Sequence, residues 1–235
     1  MKKSHIATLI VFLVLIPLTL ILGSRLSGRA FYVTSTLVIV ELLIPFFLAF
    51  EGRRPQAREL VVLAVMCALA VAGRVAIPIP SFKAIFGIIM IAGIAFGPES
   101  GFLVGAISAL ASNFFYSQGP YTPWQMMAYG AGGMLAGFVF ARGRLPRKPM
   151  IMGIFGFLAV TFFVGPLLDT CSVFLVMSRI TLKGAMAFYI SGFPVNLRQA
   201  VATTIVLLVL GKPLLEKLDR IKTKYGILDD GGKEA

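Results

Sequence analysis

A run of 28 residues at positions 150–177, MIMGIFGFLAVTFFVGPLLDTCSVFLVM, contains a single charged side chain, that of Asp169. A helix needs about 20 mostly apolar residues to cross the hydrocarbon core of a bilayer. The run exceeds this length and is interrupted near its middle by Gly165-Pro166. It therefore predicts a membrane-spanning helix.

The rest of the chain has the same apolar character. Of its 235 residues, 58% are hydrophobic and 14% are charged, and the mean hydropathy is +0.91. Soluble domains carry about 25% charged residues, so this chain has too few to cover a core of its size. The composition excludes a soluble globular domain, a disordered chain and a coiled coil. It predicts an all-α integral membrane protein.

About eight apolar segments are candidate spans. They are Ile6–Leu22, Phe31–Phe50, Leu60–Ile79, Ala84–Phe96, Gly101–Phe115, Trp124–Ala141, Met150–Met177 and Ala187–Leu210. The fourth and fifth are short, and the sequence Gly97-Pro98-Glu99-Ser100 separates them. Short neighbours of this kind are typical of helices packed inside a bundle.

The basic residues predict the orientation. The net charge is +12, and 15 of the 22 Lys and Arg residues fall on one side of the eight-span topology, against five on the other. Basic loops are retained on the cytoplasmic side. Both termini are therefore expected in the cytoplasm, and membrane topology explains the charge better than nucleic-acid binding does.

The inventory of reactive side chains disfavours an enzyme. The only histidine is His5, and no P-loop sequence is present. Cys67 and Cys171 both lie in apolar runs, where they are expected to be small buried hydrophobes. We predict no cofactor, no metal site and no catalytic residue.

Aromatic and amide side chains cluster where the predicted outer ends of the helices meet. Aromatic rings beside fixed hydrogen-bonding groups are what a small-molecule pocket needs, although Trp and Tyr also act as simple interface anchors. The residues that we expect to bind a substrate are Pro80, Phe82, Lys83, Asn113, Tyr116, Gln118, Tyr121, Trp124, Gln125, Tyr129, Asp169, Asn196, Arg198 and Gln199.

Several charged residues lie within apolar segments, where charge is costly and usually faces a cavity or a partner. Asp169 is expected to pair with Arg74 or Arg198, either structurally or beside a ligand. Glu41 has no obvious partner other than Arg74.

Small residues recur every four positions at Ala64, Ala68 and Ala72. Such a ladder lets another helix backbone approach closely. It serves either packing within the chain or docking of a partner helix.

Three motifs carry a resemblance to a known family: Ala64-x-x-x-Ala68, GIAFGPESGFLVGA at 93–106, and SNFF at 112–115 followed by QGPYTPWQM at 118–126. From Leu60 to about Leu210 the chain resembles the substrate-binding S component of energy-coupling factor (ECF) transporters. The likeness is strongest to the cobalamin-type group. Its departure from the family is the pair of spans that precede the usual six.

The resemblance implies a division into residues 1–56 with two additional spans, a six-helix substrate-binding membrane domain at 57–212, and a basic cytoplasmic tail at 213–235. It implies that Pro78–Lys83 closes over a tightly bound vitamin or related micronutrient. It also implies that Ala64, Ala68 and Ala72 dock on a transmembrane coupling subunit driven by two ATPase subunits. Cobalamin is one candidate ligand, and a flavin, a queuosine-like base, a pterin or a thiamine part would also suit the pocket.

The residues alone are also compatible with a different class of function. An autonomous secondary transporter or channel would use Glu41 and Asp169 as proton or ion carriers. The eight segments do not divide into two similar halves of four, which weighs against an inverted repeat.

Overall fold

The computed structural model describes residues 10–15, 18, 19, 22, 30–52, 56–141, 143–177 and 179–226. Within these ranges every regular element is helical. After a π-helical turn at Val11–Leu15, the helices are α1 (Ala30–Gly52), α2 (Ala57–Val75), α3 (Ile85–Phe96), α4 (Pro98–Tyr116), α5 (Thr122–Phe140), α6 (Pro149–Val176), α7 (Leu182–Val209) and α8 (Gly211–Tyr225).

Two of these helices, α6 and α7, are each 28 residues long and apolar enough to cross a membrane by length and composition. The prediction that residues 150–177 form one span is met by α6, which contains a π-helical turn at Val160–Val164. The predicted second span corresponds to α1. The predicted first span, Ile6–Leu22, lies largely outside the described residues, as does the end of the tail at 227–235, so the number of spans stays a prediction.

The break between α3 and α4 is set by two residues. Gly97 has φ of 92° and ψ of 174°, a conformation that side chains disfavour, and Pro98 begins α4. Proline suits a first helical position because its missing N–H would have no partner there. The chain therefore reverses between α3 and α4 without a loop. Helix α3 is short, as expected, whereas α4 has 19 residues and is longer than the predicted segment Gly101–Phe115.

Helix α3 forms the centre of the bundle, since all 12 of its residues are buried. It contacts α2, α4, α5, α7 and α8. Helices α4 and α5 pack so closely that a Cβ atom placed on Gly101 would lie 2.5 Å from the carbonyl oxygen of Gly133. Small residues at this crossing are therefore required for packing within the chain.

Helix α1 packs on the outside of this bundle against α4, α5 and α6. Its Ile39 joins a buried cluster with Trp124 and Cys171, and its Leu43 joins another with Phe102 and Ala106. The opposite side of α1 exposes a stripe of apolar side chains at Leu37, Val40, Ile44 and Leu48. Such a stripe is suited to lipid.

The basic tail begins as a helix that folds back onto the bundle. Leu215 and Leu218 of α8 are buried in the main core. The Lys222 Nζ donates a hydrogen bond of 2.7 Å to the carbonyl oxygen of Ala95 in the last turn of α3, where carbonyls lack helical partners. We call this end of the bundle the tail end, and the opposite end, where α2 and α4 finish, the pocket end.

The α4–α5 crossing generates a first prediction. Gly133→Val should disrupt the bundle, because the added side chain would overlap the backbone of Gly101 and overpacking costs about 1–3 kcal/mol or more. The midpoint of thermal unfolding of the purified protein should fall by several degrees. Ala64→Val is the matched control, since Ala64 is exposed on α2. Equal midpoints for the two variants would contradict this packing.

Candidate functional site

A cavity of about 270 Å³ lies at the pocket end of the bundle. It is bounded by the ends of α2 and α4, the α2–α3 loop, the first half of α5 and the middle of α6 and α7. Its lining consists of Arg74, Ser81, Lys83, Phe86, Tyr116, Tyr129, Val160, Gly165, Leu168, Val195, Asn196 and Gln199. Aromatic rings, amides and cations thus converge on one space.

Arg74, in the last turn of α2, is held by neutral groups. Its guanidinium donates hydrogen bonds to the Ser112 Oγ at 2.5 Å and the Asn113 Oδ1 at 2.9 Å. It also lies 4.9 Å from the ring centroid of Tyr116 and 5.6 Å from that of Tyr129. Within the described ranges no carboxylate forms an ion pair with Arg74, so its positive charge is not neutralised.

A layer of amides behind the cavity fixes this arrangement. Asn113 is fully buried, and its Nδ2 donates hydrogen bonds to the Thr122 Oγ1 at 3.1 Å and the Gln125 Oε1 at 2.8 Å. The Tyr116 hydroxyl donates to the Arg74 carbonyl oxygen at 3.0 Å. Asn113 and Gln125 therefore position the cavity wall and do not line it.

The α2–α3 loop closes one side of the cavity through Ser81 and Lys83. The Lys83 Nζ donates a hydrogen bond to the carbonyl oxygen of Ile77 within the loop. The Lys83 carbonyl oxygen accepts a hydrogen bond of 2.7 Å from the Gln199 Nε2 of α7. The loop is thereby linked to the opposite wall. Pro80 is exposed on this loop, and Phe82 is half-buried beside Lys83.

On α6 and α7 the expected ion pairs of Asp169 are absent. The Asp169 Oδ2 accepts a hydrogen bond of 2.7 Å from the Asn196 Nδ2, whereas the Arg198 Nε donates to the Pro194 carbonyl oxygen in its own helix. Arg74 is engaged by Ser112 and Asn113. The pairing predicted for Asp169 with either arginine is therefore wrong, because both arginines are held by other groups and the described partner of the carboxylate is an amide.

This contact is close because Gly165 has no side chain. A Cβ atom there would lie 2.6 Å from the Asn196 Nδ2. Gly165 follows directly after the π-helical turn of α6, and such turns are frequent at functional sites.

The cavity is lined by five of the predicted binding residues: Lys83, Tyr116, Tyr129, Asn196 and Gln199. Four others lie away from it. Trp124 is buried beneath α1 and stacks on Phe174 at 5.6 Å, while Tyr121 and Gln118 donate hydrogen bonds to the carbonyl oxygens of Ser117 and Leu110. Arg198 is exposed on α7.

The sequence did not predict the apolar residues that line the cavity. Phe86, Val160, Leu168 and Val195 line the cavity, but nothing in their local pattern distinguishes them from other apolar residues of a bundle. Arg74 did carry a signal, since it is a charged residue at the end of an apolar segment.

Glu41 lies apart from this site. Its Oε1 accepts a hydrogen bond of 2.5 Å from the Thr19 Oγ1, so its described partner is a hydroxyl of the preceding segment and not Arg74. Among the residues described, no group of three or more His, Cys, Asp or Glu side chains is placed to hold a metal ion.

The ladder on α2 is open to the surroundings. Ala64, Ala68 and Ala72 are all exposed, together with the neighbouring Val61 and Val65. Helix α1 packs on a different side of the bundle, against α4, α5 and α6. Within the part of the chain that the structure describes, the ladder is thus accessible to a helix from another chain.

The bundle has a small polar and aromatic cavity at one end and an exposed helix face of small residues. This arrangement suits a membrane protein that binds a small molecule. The model of the ECF-type riboflavin transporter S component family matches residues 55–216 of the chain. The chain therefore belongs to this family of S components. No curated protein and no solved structure matches it.

Family membership confirms the predicted ECF S component and places the chain in a membrane as the substrate-binding subunit of such a transporter. It implies partnership with a coupling subunit and ATPase subunits, in a family that is not enzymatic. The predicted likeness to the cobalamin-type group is not supported, because the match is to the riboflavin-type family.

The buried amide layer generates a second prediction. Asn113→Leu removes one of the two side-chain acceptors of Arg74 and the donor to Thr122 and Gln125. Each buried group left unsatisfied costs about 1–3 kcal/mol. We expect a lower midpoint of thermal unfolding and weaker ligand binding, because Arg74 loses its position. Arg198→Leu, which also replaces a polar side chain by leucine, is exposed and should change neither quantity. An unchanged Asn113→Leu protein would show that the layer does not hold Arg74.

Proposed function

We propose that this S component binds riboflavin, or a flavin of similar size, in the cavity at the pocket end. The observation that carries the proposal is the convergence of aromatic rings, amides and two cations on one small space. The match to the riboflavin-type family supports the same ligand.

The chemistry of the walls suits a flavin. The isoalloxazine ring is planar and apolar on its faces, and its pyrimidine edge alternates hydrogen-bond donors and acceptors. Phe86, Tyr116 and Tyr129 supply aromatic surface, with Phe86 and Tyr129 edge to face at 4.5 Å. Because Asp169 engages the Nδ2 of Asn196, the Oδ1 of that amide remains as an acceptor for a ring N–H.

The charge of the cavity suits the flavin carbonyls. Arg74 and Lys83 are both in the wall, and no carboxylate is among the described residues that line it. Cations in a site of low dielectric constant interact strongly with the electron-rich oxygens of a ligand. A neutral ligand with several carbonyl oxygens therefore gains more here than a cationic one such as thiamine.

The size of the cavity disfavours a corrinoid. Sites for drug-sized ligands are about 300–1,000 Å³, and this cavity of about 270 Å³ is just below that range. A corrin macrocycle with its side chains and nucleotide loop is several times larger. Cobalamin would require the α2–α3 loop and α7 to separate widely.

In the membrane, we propose about eight spans with both termini in the cytoplasm, as the distribution of basic residues predicts. The cavity then faces the outside, where the nutrient is dilute, and α8 lies at the cytoplasmic surface. Energy for release comes from the ATPase subunits through the coupling subunit, for which the ladder Ala64, Ala68 and Ala72 is the proposed docking face.

The proposed ligand gives a third prediction. The purified chain should quench riboflavin fluorescence on binding and should show no heat of binding with cyanocobalamin. Leu168→Trp should weaken riboflavin binding at least about tenfold, because the indole ring fills part of the cavity that Leu168 lines. Titration of flavin fluorescence and calorimetry measure both quantities.

The control for this variant is Leu182→Trp, which makes the same change at a residue that is 80% exposed on α7. It should bind riboflavin as the parent protein does. If the parent binds cyanocobalamin and not riboflavin, or if both tryptophan variants bind equally well, the proposed ligand and its location are wrong.

The proposed docking face gives a fourth prediction. Ala64→Leu with Ala68→Leu should abolish uptake by cells that also express a coupling module, and should leave riboflavin binding by the purified chain unchanged. Bulky side chains on the ladder prevent close approach of a partner helix. Val40→Phe, on the exposed side of α1, is the control and should not reduce uptake. Loss of binding with retained co-purification of the coupling module would contradict the assignment.

A further inference from the structure

A second cavity, of about 300 Å³, lies at the tail end between the start of α6 and helix α8. Its lining consists of Arg147, Lys148, Pro149, Lys212, Leu215, Glu216 and Asp219. Three cations face two carboxylates there. Asp219 is bound by Arg147 at 3.4 Å and Glu216 by Lys212 at 4.0 Å, while the exposed Lys148 forms no ion pair within the described ranges.

An apolar groove of about 290 Å³ lies on the side of the bundle between α6 and α7. Its lining consists of Met150, Gly153, Ile154, Phe157, Leu158, Thr204 and Leu208. The Thr204 hydroxyl donates its hydrogen bond to backbone carbonyl oxygens of the protein, those of Ala200 at 2.9 Å and Gly153 at 3.3 Å. The hydroxyl donor of Thr204 is therefore already used within the protein.

The cationic cavity and the apolar groove adjoin each other. Pro149 lines the cavity, and Met150, next in the chain, lines the groove. On the other wall Leu208 lines the groove and Lys212 the cavity. Backbone hydrogen bonds from Leu210 to Val206 and from Leu214 to Leu210 continue the helical path between these two residues. The polar cavity therefore lies directly beside the apolar groove.

We propose that this composite site binds an anionic phospholipid of the leaflet at the tail end. The phosphate lies in the cavity near Lys148 and Lys212, and one acyl chain lies in the groove. Basic pockets between membrane helices recognise anionic head groups, and here the apolar extension fits the chain attached to such a head group. A free phosphate would use the cavity alone.

The lining also explains why the site favours a single negative charge. Two of its three cations are compensated by carboxylates, which leaves one net positive charge. A phosphodiester with an uncharged head group carries one negative charge, whereas a zwitterionic lipid has no net charge to balance. Phosphatidylglycerol is therefore the appropriate probe.

The test is native mass spectrometry of the purified full chain with phosphatidylglycerol, phosphatidylcholine of the same acyl chains, and glycerol 3-phosphate. Phosphatidylglycerol should bind at least about tenfold more tightly than phosphatidylcholine. The double variant Lys148→Gln with Lys212→Gln should lose that preference. Ile154→Trp, at the exposed rim of the groove, should weaken phosphatidylglycerol binding several-fold.

The matched control is Lys217→Gln with Lys224→Gln, which removes two positive charges from α8 at residues that do not line the cavity. It should keep the preference for phosphatidylglycerol. The proposal would be overturned if the two lipids bind equally tightly, or if both double variants lose the preference for phosphatidylglycerol to the same extent. A third result would also overturn it: glycerol 3-phosphate binds as tightly as phosphatidylglycerol, and Ile154→Trp does not weaken binding of the lipid. That result would indicate a simple anion site. The same variants should bind riboflavin as the parent protein does. The lipid site and the proposed riboflavin site are therefore tested separately, and one can be wrong while the other is right.

Discussion

The pocket end of this bundle depends on one partly buried cation. Arg74 lies at the end of an apolar helix, where a charged group is costly unless it is well hydrogen-bonded. The structure meets this requirement with the Ser112 hydroxyl, the Asn113 carbonyl oxygen and the faces of two tyrosine rings. Because all of these groups are neutral, the charge remains available to a ligand. The same contacts fix the positions of α2, α4 and α5, which form half of the cavity wall.

The additional helix α1 changes which surfaces of the S component are accessible. It covers Trp124 and Cys171 through Ile39, and it packs on α4 through Leu43. The face of α2 that carries the alanine ladder remains exposed. An added span can therefore stabilise one side of the bundle without blocking the side on which docking is proposed. It also covers the aromatic cluster of Trp124 and Phe174, which is separate from the residues that line the cavity.

Much of the architecture follows from the sequence because apolar length and helix breakers are local signals. The α3–α4 break is a property of Gly97 and Pro98 themselves, and α6 is set by a long run with one charge. The wall of the cavity is different. Lys83, Tyr116, Tyr129, Asn196 and Gln199 were recognisable as polar or aromatic residues near helix ends. Phe86, Leu168 and Val195 face the same space only because the helices cross as they do, and a single sequence contains no signal for that crossing.

The partners of charged groups were equally hard to predict, because a partly buried ion can also be stabilised by neutral hydrogen-bonding groups. Asp169 was expected to meet an arginine, and it is bound by the amide of Asn196. That contact depends on Gly165 in α6, which allows the two helices to approach. The positions of Asp169, Arg74 and Arg198 in the sequence do not indicate how far apart their helices lie in the fold.

The links that close the cavity also limit how a ligand can be released. The loop is joined to α7 by the hydrogen bond between Lys83 and Gln199. A hydrogen bond contributes about 0.5–1.5 kcal/mol net, whereas nanomolar binding corresponds to about 12 kcal/mol. For a nanomolar ligand, opening the loop alone would leave most of the binding free energy in place. Release therefore requires the walls themselves to separate, so that Asn196 on α7 and Tyr129 on α5 no longer face the same molecule. In the proposed function, the coupling and ATPase subunits supply this work by acting on whole helices.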